Sequence, residues 1–384
     1  MLLGSLLTLI AFGSILVAIS KLTTTTGTPA AKAVSLSQPN NNNRVDNSPF
    51  QRYTKDAPTS CNDPIDANDV QFTLVSQLSF DRIWMLEHHC KRWQHYMSVA
   101  VWTTTNQTQS DVMQHALQLG CDSTLLTLQV LSSHEYPEYP VNVLRNMALS
   151  TVHTSHILHV DVDFWESTDL YSLLESTKQA LAQNHKMAIV IPAFQLNRQC
   201  REWKECPEQN VPKMPHSVQD ILKLIRGKNG APFDPTNHGG HGSTLYSAWI
   251  KQTPGTLLQI PCITSNRYEP YIAVRYCREL PPFQPAFTGY GKNKMTMIMH
   301  MRKVGYTFFQ LGGAYVVHYP HLDSPSRMNW NNGGARAEID ALFVTFRQWL
   351  QQEITDSSIT QVPKCQDAED DDAKLRIHRS KPNI

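Results

Sequence analysis

The sequence predicts an α/β fold with a mainly parallel central sheet covered by helices. Short β-branched runs alternate with helix-period segments, the signature of repeated βα units. Several of those runs also end in residues able to carry chemistry, as expected where ligands bind beyond the carboxyl ends of parallel strands. In chain order, 72–79 reads as a strand, 79–96 as a helix, and 97–103 and 125–131 as further strands. Residues 141–152 follow as a helix, 156–164 and 187–194 as strands, and 167 to about 182 as an amphipathic helix between them. The chain has 384 residues, 41% hydrophobic and 17% charged, room for one large or two ordinary domains. With 34 basic against 33 acidic side chains it has no nucleic-acid footprint.

The flanks differ from this body. Residues 2–20 are uncharged and just long enough to cross a hydrocarbon core, so 1–20 is expected to be a signal-anchor, or a signal peptide cleaved after small residues such as Ala18 and Ser20. Residues 21–64, with runs of Thr and Asn, read as a flexible stem, and 364–384 as a disordered charged tail. A single catalytic domain is expected over 65–363. Eight cysteines without paired CxxC spacing fit an oxidising lumen rather than a structural zinc site. Cys200 and Cys206 are the expected local bridge, whereas Cys90 and Cys121 read equally well as buried free thiols. Asn106 heads the glycosylation acceptor Asn-Gln-Thr.

Asp161 and Asp163 close an apolar strand. Carboxylates at i and i+2 point to one side of an extended chain and can share a divalent cation. His318 ends another β-branched run, with His321 three residues on, and a neutral imidazole suits Mn²⁺ beside carboxylates. In 287–294, Gly289 and Gly291 allow close backbone approach and Lys294 can meet an anion. Arg145 lies on the helix before the Asp-Val-Asp strand, where its guanidinium could face a diphosphate.

Seven blocks in order, QLSFDRIWMLEHHCKRW, YPVNVLRNMALSTVHTSHILHVDVDFWES, VIPAF, HGSTLYSAW, YEPYIAVR, FTGYGKNK and VVHYPH, resemble the glucuronyltransferase family that includes the second catalytic domain of the LARGE enzymes. The resemblance covers residues 70–350. It implies a GT-A fold, a UDP-sugar donor, Mn²⁺ or another divalent cation, a glycan or glycoprotein acceptor, and inversion at the anomeric carbon. It also implies a Golgi type II membrane protein held through its N-terminal segment, or otherwise a secreted one. Asp161, Asp163 and His318 match the family's metal-binding positions, and Gln77 and Arg145 match positions near the nucleotide. The family often has an acidic residue before its F-x-G block, where this chain has Gln284-Pro285. The expected donor is UDP-glucuronate, with His241 or Arg275 meeting its carboxylate. The position often acidic in related GT-A folds falls at Asn293, which cannot take a proton; Glu269 is the candidate catalytic base, its other reading a structural carboxylate bonded to loop amides. A catalytically inactive sugar-binding relative, a transferase using another UDP-sugar and a metal-dependent hydrolase are the rival readings.

Overall fold

The computed structural model describes residues 48–368 apart from 55, 105, 137, 199, 334, 335 and 367. Its strands are β1 (Phe72–Ser79), β2 (Met97–Thr103), β3 (Leu126–Ser132), β4 (His156–His159), β5 (Phe164–Glu166), β6 (Met187–Ile191), β7 (Ala193–Leu196), β8 (Gly230–Pro232), β9 (Leu257–Ile260), β10 (Tyr271–Arg275), β11 (Thr307–Leu311) and β12 (Val316–His318). Eight form one sheet in the order β3-β2-β1-β4-β10-β6-β11-β9, and four form a smaller one, β5-β12-β7-β8. Strands β3, β2, β1 and β4 are parallel, whereas β10 enters antiparallel to both β4 and β6. The large sheet is therefore mixed but mostly parallel, with helices on both faces.

The sequence explains the local choices. Seven of the eight residues of β1 are buried, as its β-branched, apolar run requires of a strand covered on both sides. The helix Val141–Leu149 packs over β1 and β2 through Leu144, Ala148 and Leu149. Thr108 with Asp111, and Ser217 with Asp220, form reciprocal capping boxes that start the helices Gln109–Gln118 and Val218–Arg226. Pro192 has no N–H for a ladder, and at that residue the expected strand 187–194 divides between the two sheets. The strand expected over 156–164 divides likewise, leaving Asp161, Val162 and Asp163 in the turn between β4 and β5. The helix expected over 79–96 is a 3₁₀ turn, Phe80–Met85, followed by the helix Leu86–Arg92. The helix expected over 167–182 is two short helices, Leu170–Glu175 and Lys178–Gln183.

The folded body exceeds the boundaries drawn from composition. Phe50 is buried against Phe287, Phe346 and Trp349, and Cys61 is bonded to Cys277, so residues assigned to a stem are packed. At the other end Val362 is buried and Cys365 is bonded to Cys262. Composition misses both because a few anchors hold segments that are otherwise polar. Cys200–Cys206 is bridged as expected, and Cys90–Cys121 is a disulfide rather than two thiols. Four disulfides belong to a chain that matures in the secretory pathway. Asn106 is exposed. The apolar segment 2–20 lies outside the described residues, among which no helix is long and apolar enough to cross a membrane.

Peptide mapping without reduction should recover all four pairs. Replacing Cys61 and Cys277 by Ser opens a link between residues 216 apart in sequence. The loss expected in denaturant titration is roughly 2–5 kcal/mol.

Candidate functional site

The site forms where the carboxyl ends of β1 and β4 meet the amino end of β10. Because β10 is antiparallel, Tyr271 lies near the end of β4 and Arg275 beside its start. Asp161 follows β4 and takes four hydrogen bonds from four elements. Gln77 Nε2 and Arg145 Nη2 each donate to Oδ1 at 2.8 Å, and Tyr271 OH and Lys294 Nζ donate to Oδ2 at 2.9 and 2.8 Å. Burial alone would push this carboxyl up, but Lys294 and Arg145 hold it well below the usual carboxylate range. Lys294 also lies 4.0 Å over the Tyr271 ring.

The loop before Lys294 is built for this reach. Gly289, Gly291 and Lys292 all have left-handed backbone, and a side chain on Gly291 would run into Trp330. Lys292 is paired with Asp340 and so is not available to a ligand. Asn293 Oδ1 accepts from Arg145 Nη1 at 3.0 Å, which gives it a positioning contact in place of a proton-accepting one.

Asp163 faces a different set. His321 Nε2 stands 2.9 Å and His318 Nε2 3.8 Å from its Oδ2, and Arg82 donates to the same oxygen at 3.1 Å. Asp163, His318 and His321 offer ligand atoms within 4.8 Å of one another. His321 Nδ1 donates to the Leu322 carbonyl at 2.6 Å. In the neutral ring this leaves the Nε2 lone pair facing a carboxylate, a juxtaposition that needs a proton or a cation between them. Burial pushes His318 down to about 3, keeping that ring neutral and ready as a ligand. The other such group among the described residues, Cys61, Cys277 and Glu279, has both sulfurs in a disulfide. Asp161, expected as a ligand, lies outside this group, and its oxygens accept from Gln77, Arg145, Tyr271 and Lys294. His321 stands in the group beside His318, and the sequence signal for it was its three-residue offset from His318.

The remaining expected residues divide. Gln77, Arg145 and Lys294 come together on Asp161. Glu269 is half-buried, accepts no hydrogen bond from a described side chain, and is raised above the ordinary carboxylate value by burial. His241 is buried beside Tyr271, and burial pushes it down to about 3. Arg275 is a correction. It donates to the Asp63 carbonyl at 2.6 Å and pairs in register with His156, at the end of β10 opposite Tyr271 and Asp161.

A residue missed from sequence, His89, sits behind the turn. Its Nε2 bonds the Val162 carbonyl at 2.8 Å and its Nδ1 the Glu166 carboxylate at 2.9 Å. A carbonyl and a carboxylate both accept, so the ring carries both protons and forms a buried ion pair. The clamp fixes the peptide between Asp161 and Asp163. On the outer side, the exposed Trp203 stacks 5.6 Å over His321, carried on the loop that Cys200–Cys206 closes.

The α/β body thus carries a carboxylate–imidazole cluster and a cationic network at the carboxyl ends of β1 and β4. Residues 114–352 match the family described as "Glycosyl-transferase for dystroglycan", and the chain belongs to that glycosyltransferase family. It is 31% identical over 261 residues to human xylosyl- and glucuronyltransferase LARGE2, covering 66% of this chain and 33% of that protein. Mouse xylosyl- and glucuronyltransferase LARGE1 is 32% identical over 266 residues, covering 67% of this chain and 32% of that protein. The chain thus spans about a third of the length of these relatives. A crystal structure of GalNAc-T7 with UDP, GalNAc and Mn²⁺ is similar at a TM-score of 0.40 and 10% identity, over 76% of this chain and 57% of that one.

The His89–Glu166 pair sets a pH dependence. Burial lowers His89, but Glu166 more than offsets this and the net shift is upward from 6.5. Its stabilisation is therefore complete below about 6.5 and fades as pH rises through the raised value. Thermal melts between pH 6 and 9 should fall more steeply for wild type than for Glu166→Gln, which is already less stable at pH 6.

Proposed function

We propose that this chain is a divalent-cation-dependent, inverting transferase that moves a sugar from a UDP-sugar to a glycan or glycoprotein acceptor. The observation that carries the reading is the Asp163–His318–His321 cluster beside the cationic network on Asp161. One carboxylate and two imidazoles suit Mn²⁺ or a similar ion, which when bound would neutralise the leaving diphosphate as a Lewis acid. Arg145 and Lys294 add positive charge next to that position, and their hydrogen bonds to Asp161 keep them oriented without reorganisation. Glu269 supplies a carboxylate with no competing hydrogen bond, suited to accept the acceptor hydroxyl's proton. Glucuronate as the transferred sugar rests on the resemblance and on relatives named for xylose and glucuronate, and the disulfides and the N-terminal segment favour a Golgi lumenal site with the membrane as anchor.

Asp163→Asn and His321→Ala should each weaken Mn²⁺ binding, read by calorimetry, and lower transfer at least about 100-fold. Intact binding and transfer in both would remove the reading. Glu269→Gln should lower kcat by roughly 10²–10⁴. A base works deprotonated, so wild-type activity should fall with acidification through a value above 4.5, and Glu269→Gln should lack that limb. A screen of UDP-glucuronate, UDP-xylose and UDP-glucose, scored by UDP release with and without acceptor, identifies the donor and separates transfer from hydrolysis or mere binding.

A further inference from the structure

We propose that His89 is a positioning residue for the divalent-cation site: from the helix Leu86–Arg92 it fixes the backbone that presents Asp163 to His318 and His321, and so sets the affinity for the ion. This rests on the cation-dependent reading above and names the residues outside the cluster that keep it in order. Asp163 belongs to a turn, His318 to the end of β12 and His321 to the loop after it. Their mutual placement is carried by the β5–β12 ladder, where Phe164 stands opposite His318 and the Tyr319 N–H donates to the Asp163 carbonyl at 2.7 Å. That ladder is three residue pairs long, whereas ligand distances in a metal site must hold to about 0.2 Å. A second constraint is needed at the turn itself.

One imidazole spans the segment. Nε2 holds the carbonyl of Val162, the residue before Asp163, at 2.8 Å, and Nδ1 holds the carboxylate of Glu166, the last residue of β5, at 2.9 Å. Arg92 lies three residues on along the same face of the helix. Its Nη1 donates to the Glu166 carbonyl at 2.7 Å and to the Pro215 carbonyl at 3.0 Å. The helix is itself anchored through Cys90, the neighbour of His89, which is bonded to Cys121 ahead of β3. Stability is a poor reason for such an arrangement. His89 and Glu166 are 1% and 0% exposed, and Glu166 Oε1 finds no partner among the described residues. A buried ion pair with an unmet oxygen can be replaced by apolar side chains at little cost to folding. No apolar side chain can hold the Val162 carbonyl. What the pair supplies, and a hydrophobic contact does not, is the direction in which Asp163 leaves the turn.

The test titrates the full chain with Mn²⁺, read by calorimetry and by the electron paramagnetic resonance signal of the free ion, with thermal melts to follow the fold. Wild type is compared with His89→Leu/Glu166→Met, which removes the pair and the donor to Val162, and with His89→Gln/Glu166→Met, whose glutamine amide takes the place of Nε2 and restores that donor. The leucine form should melt cooperatively and bind Mn²⁺ at least about ten-fold more weakly than wild type, and the glutamine form should stay within about three-fold of it. A role in packing alone would make the two forms alike. Equal losses in both, or binding by the leucine form within about two-fold of wild type, overturn the proposal. Should the leucine form lack a cooperative melt, Arg92→Met decides, because it frees the Glu166 end of the segment: Mn²⁺ binding weaker by about three-fold or more is expected, and unchanged affinity overturns the proposal. Failure of wild type to bind Mn²⁺ overturns the cation-dependent reading itself, which every other outcome leaves standing.

Discussion

The carboxylate of Asp161 is the point on which the architecture turns. It receives hydrogen bonds from β1, from the helix Val141–Leu149, from β10 and from the helix Asn293–Lys303, elements between residues 77 and 294. Two of the donors are cations, so the cluster keeps a positive excess after Asp161 is counted. A half-buried carboxylate in this position costs solvation, and the excess offsets it. One set of bonds ties four elements together and keeps both cations oriented.

Asp161 and Asp163 are two residues apart and have opposite duties. Asp161 points into the protein, toward groups that anchor the sheet. Asp163 points toward two imidazoles and the surface. What separates them is the turn at Val162, whose side chain is buried and whose carbonyl is gripped by His89. An extended strand would have aimed both carboxylates one way, and the break between β4 and β5 makes the difference possible.

Much of this was legible in the sequence. The β1, β2 and β3 runs and the helix at 141 carry strong periodicity, and the Asp-Val-Asp ending marks the site, because local pattern and local position suffice for both. Direction is harder. YIAVR reads as a strand either way round, and only its pairing with β4 and β6 shows that it is antiparallel, which moves Arg275 away from Asp161 and brings Tyr271 to it. Duty is harder still. The DxD spacing does not say that the oxygens of Asp161 accept from Lys294 and Arg145 while Asp163 faces His318 and His321. Long-range disulfides such as Cys61–Cys277 and Cys262–Cys365 tie polar flanking segments to the body, so packing extends past the bounds drawn from composition at both ends.

The position of β10 also governs the order in which the molecule can be made. β4 ends at residue 159 and β6 begins at 187, yet they do not touch; β10, at 271–275, lies between them. During synthesis the parallel half, β1 to β4, can assemble from local units, but its inner edge stays open for more than a hundred residues of elongation. An unpaired apolar edge of that kind is a template for wrong pairing, so the nascent chain is most vulnerable to aggregation between the emergence of β4 and that of β10. Mutations that slow the docking of β10 would then lower yield in the secretory pathway without altering the finished molecule.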